Sequence, residues 1–466
     1  MNEYSTYTGI LEYKDIKFTF IFNKKTLKLI PPEDKKKEVE SWFWKKIEQG
    51  TYTPGDPVYI KDVIYGIANE TRQKIIFIPE YNDVSRINST LIVDIKYYII
   101  SKYDGETIDR IAINGPEITH IFPTTLALNK PDIKENGIIN LSTKSFNETT
   151  TEKEDFYINN KKLSLHFGIS ISGAYKTGES PINLSSTMFI EFEPTNDYQF
   201  IVEVINIAKQ FVQYLCYRRN IIFSSIELSA SAHKGLHKTF ANLYQTQENN
   251  IIDEYSLKKG KFIKYEYLKG SIGKIINDIA SKQIYIEHIP ESYESGRHID
   301  ASRFVMITAG FEWEFTRNYP NGIKKSDKTI KAERIVTNFI NDLIKHHTSK
   351  TKEIFKYLKK LISTDNLESR IITYGNDYDS ISTDFGNNLY NLNSEKLKYN
   401  EMGTRLAEQR NHFAHGDIDK EFIGLSLLDL IYLEYIIYII QLKFYGVKDE
   451  KIKFAINDLF SCHLAL

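Results

Sequence analysis

The segment Glu408-Gln409-Arg410-Asn411-His412-Phe413-Ala414-His415-Gly416 places three kinds of reactive group within a few residues of one another. Arg410 is a fixed cation with a planar fork of donors, Asn411 is a neutral hydrogen-bonder, and His415 is an imidazole that titrates near neutrality. Together they suit attack on a phosphodiester without a metal: the guanidinium holds the phosphate and takes up developing charge, and the imidazole moves the proton. His412 is a second imidazole in the same stretch. Spacing alone leaves both open, and His415 is the preferred one.

The element that must carry these groups is a helix. Tyr399, Met402, Leu406 and Phe413 form one apolar stripe, and at about 100° per residue Arg410 falls beside that stripe, whereas His415 lies about 140° from Arg410. An inward guanidinium needs a carboxylate, a phosphate or a subunit interface, because burying it alone is prohibitive. Glu312 and Glu314, two residues apart on the first helix of the C-terminal region, are candidate supports that would hold Arg410. One straight helix does not easily bring Arg410 and His415 to a single phosphate. Two chains meeting at a two-fold axis do, since each supplies both groups. The bland reading has the histidine stabilised by a helix C-terminus near a Gly416 cap, with Arg410 salt-bridged inside a bundle.

The Arg410-Asn411-x-x-x-His415 pattern, near the end of a helix in an all-α C-terminal region, resembles the Arg-x(4–6)-His signature of HEPN ribonucleases, which often carry a polar residue after the arginine. A long β-rich N-terminal region, then a helix like Phe304-Val305-Met306-Ile307-Thr308-Ala309-Gly310-Phe311-Glu312-Trp313-Glu314-Phe315, then the motif, is similar in order to the ApeA-type anti-phage HEPN proteins. The resemblance implies a metal-independent endoribonuclease, working as a homodimer or higher oligomer in phage defence by abortive infection, with no cofactor. By position, Arg410 would bind the scissile phosphate, His415 would be the general acid/base and Asn411 would hold the phosphate. His412, Glu312 and Glu314 are possible support. RNA fits this chemistry because its 2′-hydroxyl attacks its own phosphate, leaving a cyclic phosphate and a 5′-hydroxyl. The N-terminal domain is then expected to sense an infection-derived trigger. The alternative is a non-catalytic HEPN-like module that binds RNA or protein and cuts nothing.

Composition frames these expectations. The chain has 466 residues, 41% hydrophobic, 26% charged, with net charge −1, enough for two or three cores and far from a generic polycation. Basic surface must therefore be local. Between Lys324 and Lys360 there are eleven Lys/Arg against four Asp/Glu, and Lys352, Lys356, Lys359 and Lys360 are the expected contacts to an RNA backbone, with a solvated helix face as the plain rival. Cys216 and Cys462 make no disulfide framework, and the N-terminal residues show no leader pattern, so a cytoplasmic location is expected. The apolar run Phe422 to Leu442 is interrupted by Asp429 and Glu434, which favours a buried bundle helix over a membrane span. His233/His237 and His346-His347 lack further ligands for a metal. Lys269-Gly270-Ser271-Ile272-Gly273-Lys274 lacks the glycine and the Ser/Thr of a phosphate loop.

The predicted fold is α+β and multidomain: a sandwich- or barrel-like β-rich domain over residues 1–290, then an all-α HEPN bundle over 298–466. Strands are read at Ile16–Phe22, Lys74–Ile78, Thr90–Ile95 and Met188–Phe192, with alternating apolar residues along the first. Helices are read at 35–49 and 197–218, the second capped by Asn196 or Asp197 and covering the sheet. Strand-like pieces follow at 220–228 and 261–268, and a short helix at 272–281. Beyond the polar stretch at Pro290 to Arg297 the predicted helices are 300–317, 328–346, 351–361, 394–414 and 420–444, with mixed signals over 366–391.

Overall fold

The computed structural model describes residues 4–46, 52–56, 58–80, 84–102, 107–134, 139–140, 142–173, 182–232, 236–246, 253–324, 326–363, 365–414 and 421–465. Contacts divide the chain into two units. The first comprises residues 1–258, 264–266 and 272–281, and the second 259–263, 267–271 and 282–466.

The first unit is built on a 13-stranded antiparallel sheet: β1 (Tyr7–Tyr13), β2 (Ile16–Phe22), β3 (Thr26–Ile30), β4 (Ile64–Ala68), β5 (Lys74–Pro79), β6 (Ser85–Ile87), β7 (Thr90–Ser101), β8 (Ile108–Asn114), β9 (Glu154–Ile158), β10 (Lys161–Gly173), β11 (Ile182–Thr195), β12 (Ser225–Ser231) and β13 (His237–Gln245). Strands β7-β3-β2-β1-β4-β5 run side by side, and β5 pairs back onto β7, which closes this half into a barrel-like ring. The other half continues from β7 in the order β13-β12-β8-β11-β10-β9. Alternation explains the ring: Ile16, Phe18, Phe20 and Phe22 point into the core, while Lys17, Thr19 and Ile21 face out. Phe77 then packs edge-on against Phe20 and Phe22, with centroids 5.3 and 5.0 Å apart. The β1–β2 turn uses Lys14 and Asp15 in the left-handed region (φ 50° and 61°), and Tyr13 opposes Ile16 across it.

Helix α1 (Tyr198–Cys216) lies on this sheet. The Asp197 carboxylate accepts from the Phe200 N–H at 3.0 Å, so the predicted cap is the aspartate. The Tyr97 hydroxyl on β7 donates to Asn206 at 2.6 Å, and Phe192 on β11 meets Phe200 edge-on. Helix α2 (Ile272–Ala280) packs beside α1 and on β9.

Three local expectations are corrected. Within the described part of the helix expected over 35–49, helix spans only Lys36–Ser41 and is followed by a short strand, Trp44–Lys46, because Trp42 and Phe43 turn onto the sheet core instead of continuing a helical face; residues 47–49 lie outside the described residues. No strand forms over 261–268. Tyr265–Leu268 is a helical turn there, and Phe262, Ile263 and Leu268 are buried without a ladder. The mixed stretch 366–391 is one 25-residue helix, Leu367–Asn391, capped by Asn366 accepting from the Ser369 N–H at 2.8 Å.

The second unit is helical: α3 (Ala301–Asn318), α4 (Asp327–His346), α5 (Ser349–Ser363), α6 (Leu367–Asn391), α7 (Tyr399–Ala414), α8 (Ser426–Phe444) and α9 (Asp449–Phe460), the last not anticipated. Helix α8 is the central rod, buried all round, with α3, α6, α7 and α9 packed on it. Its two carboxylates are answered by arginines: Arg405 clasps Asp429 through Nε and Nη2 at 2.7 and 2.8 Å, and Arg303 meets Glu434 at 2.7 Å. No described helix is long and apolar enough to cross a membrane.

Candidate functional site

Helix α7 delivers the motif. Met402, Leu406 and Phe413 are buried on its inner face and Tyr399 is half-buried, as the spacing requires. Three contacts fix where its end lies. Arg405 is pinned to Asp429 of α8. Gln409, fully buried, accepts from the Ile423 N–H at 2.6 Å and from the Ser426 hydroxyl at 3.2 Å, which ties the last turn of α7 to the start of α8. Phe413 meets Phe304 of α3 and Phe422 edge-on, and Phe304 meets Phe422 at a tilt, with centroids 5.4–5.9 Å apart. Close backbone approach completes the placement: a Cβ on Gly403 would stand 2.7 Å from the Glu368 Cα of α6.

Within this frame the Arg410 Nη1 lies 2.8 Å from the Glu312 Oε1 of α3, with the two side chains 35% and 26% exposed. The guanidinium is thus anchored by Glu312 while the side chain as a whole stays partly exposed. Asn411 is exposed beside it and His412 is half-buried. His415 lies outside the described residues. Glu314 does not join this group. It is buried, and its Oε1 accepts from the Tyr285 N–H at 2.7 Å and the Gln441 amide at 3.0 Å, while Oε2 meets Arg317 at 3.2 Å. Burial pushes its carboxyl above the ordinary range, against the pull of those hydrogen bonds. The two carboxylates therefore divide: Glu312 meets Arg410, and Glu314 knits α3 to α8.

Lys352, Lys356, Lys359 and Lys360 stand on α5, which packs chiefly on α4, so they belong to a different element pair from Arg410 and Glu312. Lys356, Lys359 and Lys360 are exposed and Lys352 half-buried. The histidine pairs weighed as ligands have other partners. His347 approaches the Leu343 carbonyl at 2.9 Å and meets the Phe355 ring, His237 Nδ1 lies 3.1 Å from Asp109, and His233 is outside the described residues. Among the described residues no group of three or more His, Cys, Asp or Glu is disposed to hold a metal ion.

Sequence reasoning missed Gln409 and Arg405. A glutamine beside a motif arginine carries no signal of burial, and the inward position of Arg405 follows only once Asp429 is known to sit on the facing helix. Comparison with protein-family models, with curated proteins and with solved structures gives no match.

Proposed function

We propose that the chain is a HEPN-type, metal-independent endoribonuclease of anti-phage defence, cutting RNA at a site composed from two copies. The observation that supports this reading is the arginine of the Arg-x4-His motif held near the end of a bundle helix by Glu312, with its side chain partly exposed and Asn411 exposed next to it in sequence. Arg410 would grip the phosphate with its fork, Asn411 would add a neutral donor, and His415 would exchange the proton of the attacking 2′-hydroxyl or the leaving 5′-oxygen. Glu312 would act as a positioning residue. The β-rich unit would receive the infection-derived trigger.

One observation favours the rival, a non-catalytic HEPN-like binding module: Arg410 already has a carboxylate partner, as a purely structural arginine would. Purified protein incubated with total RNA, with and without EDTA, separates the two. Cleavage that survives EDTA and leaves cyclic-phosphate and 5′-hydroxyl ends supports the enzyme. His415→Ala should then lose roughly 10²–10⁴ in rate with little loss of RNA affinity, Arg410→Ala should lose both, and Arg410→Lys should not restore them. His412→Ala should be mild. A folded His415→Ala protein that cuts as wild type moves the proton role to His412 if His412→Ala is dead, and supports the binding module if both variants are active.

A further inference from the structure

Helices α4 and α5 pack chiefly on each other. They are joined by His347 and Thr348, with Ser349 in the left-handed region (φ 56°) and the His347 ring 5.3 Å from Phe355, which makes them an antiparallel hairpin. Its seam runs along Ile340, the one α4 side chain that is fully covered, and Phe355.

The apolar residues away from that seam remain uncovered. Ile335 and Phe339 on α4 are 70% and 65% exposed, and Ile354, Tyr357 and Leu361 on α5 are 58%, 63% and 51% exposed, with Val336 and Leu358 alongside. At about 100° per residue, the exposed apolar arc lies on the order of 120° from the seam, in the same rotational sense on both helices. Because the helices run in opposite directions, equal rotation carries the two arcs to one side of the hairpin. Lys356, Lys359 and Lys360 fall on the other side. Lys328 and Lys350 stand at the ends of the apolar arc, so the hairpin presents one apolar side bounded by lysines.

We infer that the apolar face is closed by the same face of a second copy, giving a four-helix layer across a two-fold axis. Area supports this occupant. Each of these side chains leaves on the order of 100 Å² uncovered, so the face approaches the roughly 800 Å² per partner of a standard interface and exceeds what a monomer keeps as scattered apolar surface. A two-fold pairing removes the apolar surface and leaves Lys356, Lys359 and Lys360 outward. This assignment stands on α4 and α5 whether or not Arg410 and His415 cut RNA.

The test is the mass of the full chain by light scattering at micromolar to tens of micromolar concentration. Wild type is expected at twice the 54.3 kDa of one chain. Ile335→Asp with Phe339→Asp, and separately Tyr357→Ser with Leu361→Ser, should weaken the dimer by at least about 100-fold, since buried apolar anchors dominate such interfaces. Both pairs replace exposed side chains, so far-ultraviolet dichroism should be unchanged, and the milder serine pair decides if the aspartates disturb folding. Lys356→Ser with Lys360→Ser, on the opposite face, should keep the dimer. A monomeric wild type, a dimer that both face variants leave intact, or a wild-type monomer that binds anionic vesicles through this face would each overturn the inference.

Discussion

On the proposed function Arg410 would serve Glu312 and a phosphate with the same five donors, and its 2.8 Å contact to Glu312 engages Nη1. A half-exposed ion pair of this kind contributes only about 0–1 kcal/mol to stability. Glu312→Gln should therefore melt as wild type while cleaving RNA some 10–100-fold more slowly, because the guanidinium loses its aim. The loss should fall on kcat more than KM. A drop in melting temperature with unchanged kcat would make Glu312 a structural partner only. A second residue-scale test lies in the β-rich unit, where burial pushes His166 down to about 4, only partly opposed by Glu191. The folded state thus favours the neutral ring. The stabilisation this gives is fully present above the ordinary value near 6.5, is lost as pH falls toward about 4, and is flat below that. His166→Gln should flatten the acid limb of denaturant stability across this window. An identical limb in the variant would refute the burial argument.

At the scale of elements, α7 is held by contacts whose loss has distinct costs. Gly403 admits α6 so closely that a methyl group would strike the Glu368 backbone at 2.7 Å, so Gly403→Ala should destabilise by about 1–3 kcal/mol even though alanine favours helix. Asp429→Ala leaves Arg405 with the weaker Glu401 contact at 3.6 Å and removes the acceptor of the Tyr390 hydroxyl, and should cost about 3–5 kcal/mol, read by urea denaturation. A neutral outcome for either would mean that α7 relaxes away from its neighbours. These anchors explain what the sequence could disclose. The strand at Ile16–Phe22, the first half of Thr90–Ser101 and the helices α1, α3 and α8 were legible because a single face or a continuous apolar run defines each. Helix α6 was not, because its inward face mixes Leu367, Ile371, Ile381 and Phe385 with Tyr374, Gly375, Tyr378, Ser382 and Gly386, and these tyrosines and glycines read as turn or strand until Tyr399 and Tyr432 are known to fill the space above the glycines. The closure of β5 onto β7 was equally hidden. Pairing between strands is a property of two segments, and no residue of either announces the other. At the site, the apolar stripe and the position of Arg410 beside it could be read from spacing, whereas the choice of Glu312 over Glu314 depended on which side of α3 faces α8.

For the whole molecule the question is whether a site belongs to one chain or two. Arg410 lies near the end of α7, which is tied at Gln409 to the start of α8, so a phosphate must come to the guanidinium rather than the reverse. If the two groups at one phosphate come from different copies, Arg410→Ala and His415→Ala chains are each inactive alone but complementary in mixture, because a mixed dimer retains one site with both groups intact. Mixing the two folded variants and allowing subunits to exchange should restore a substantial fraction of wild-type cleavage, and the recovery should grow with exchange time. Adding the Tyr357→Ser and Leu361→Ser pair to both variants should abolish the recovery if the hairpin face holds the copies together, and should leave it if another surface does. Raising salt gives a separate control. Lysine contacts to RNA weaken steeply with ionic strength, whereas an apolar dimer face does not, so cleavage should fall with salt while mass stays constant. Mixed variants that stay dead despite demonstrated exchange would show that Arg410 and His415 act within one chain.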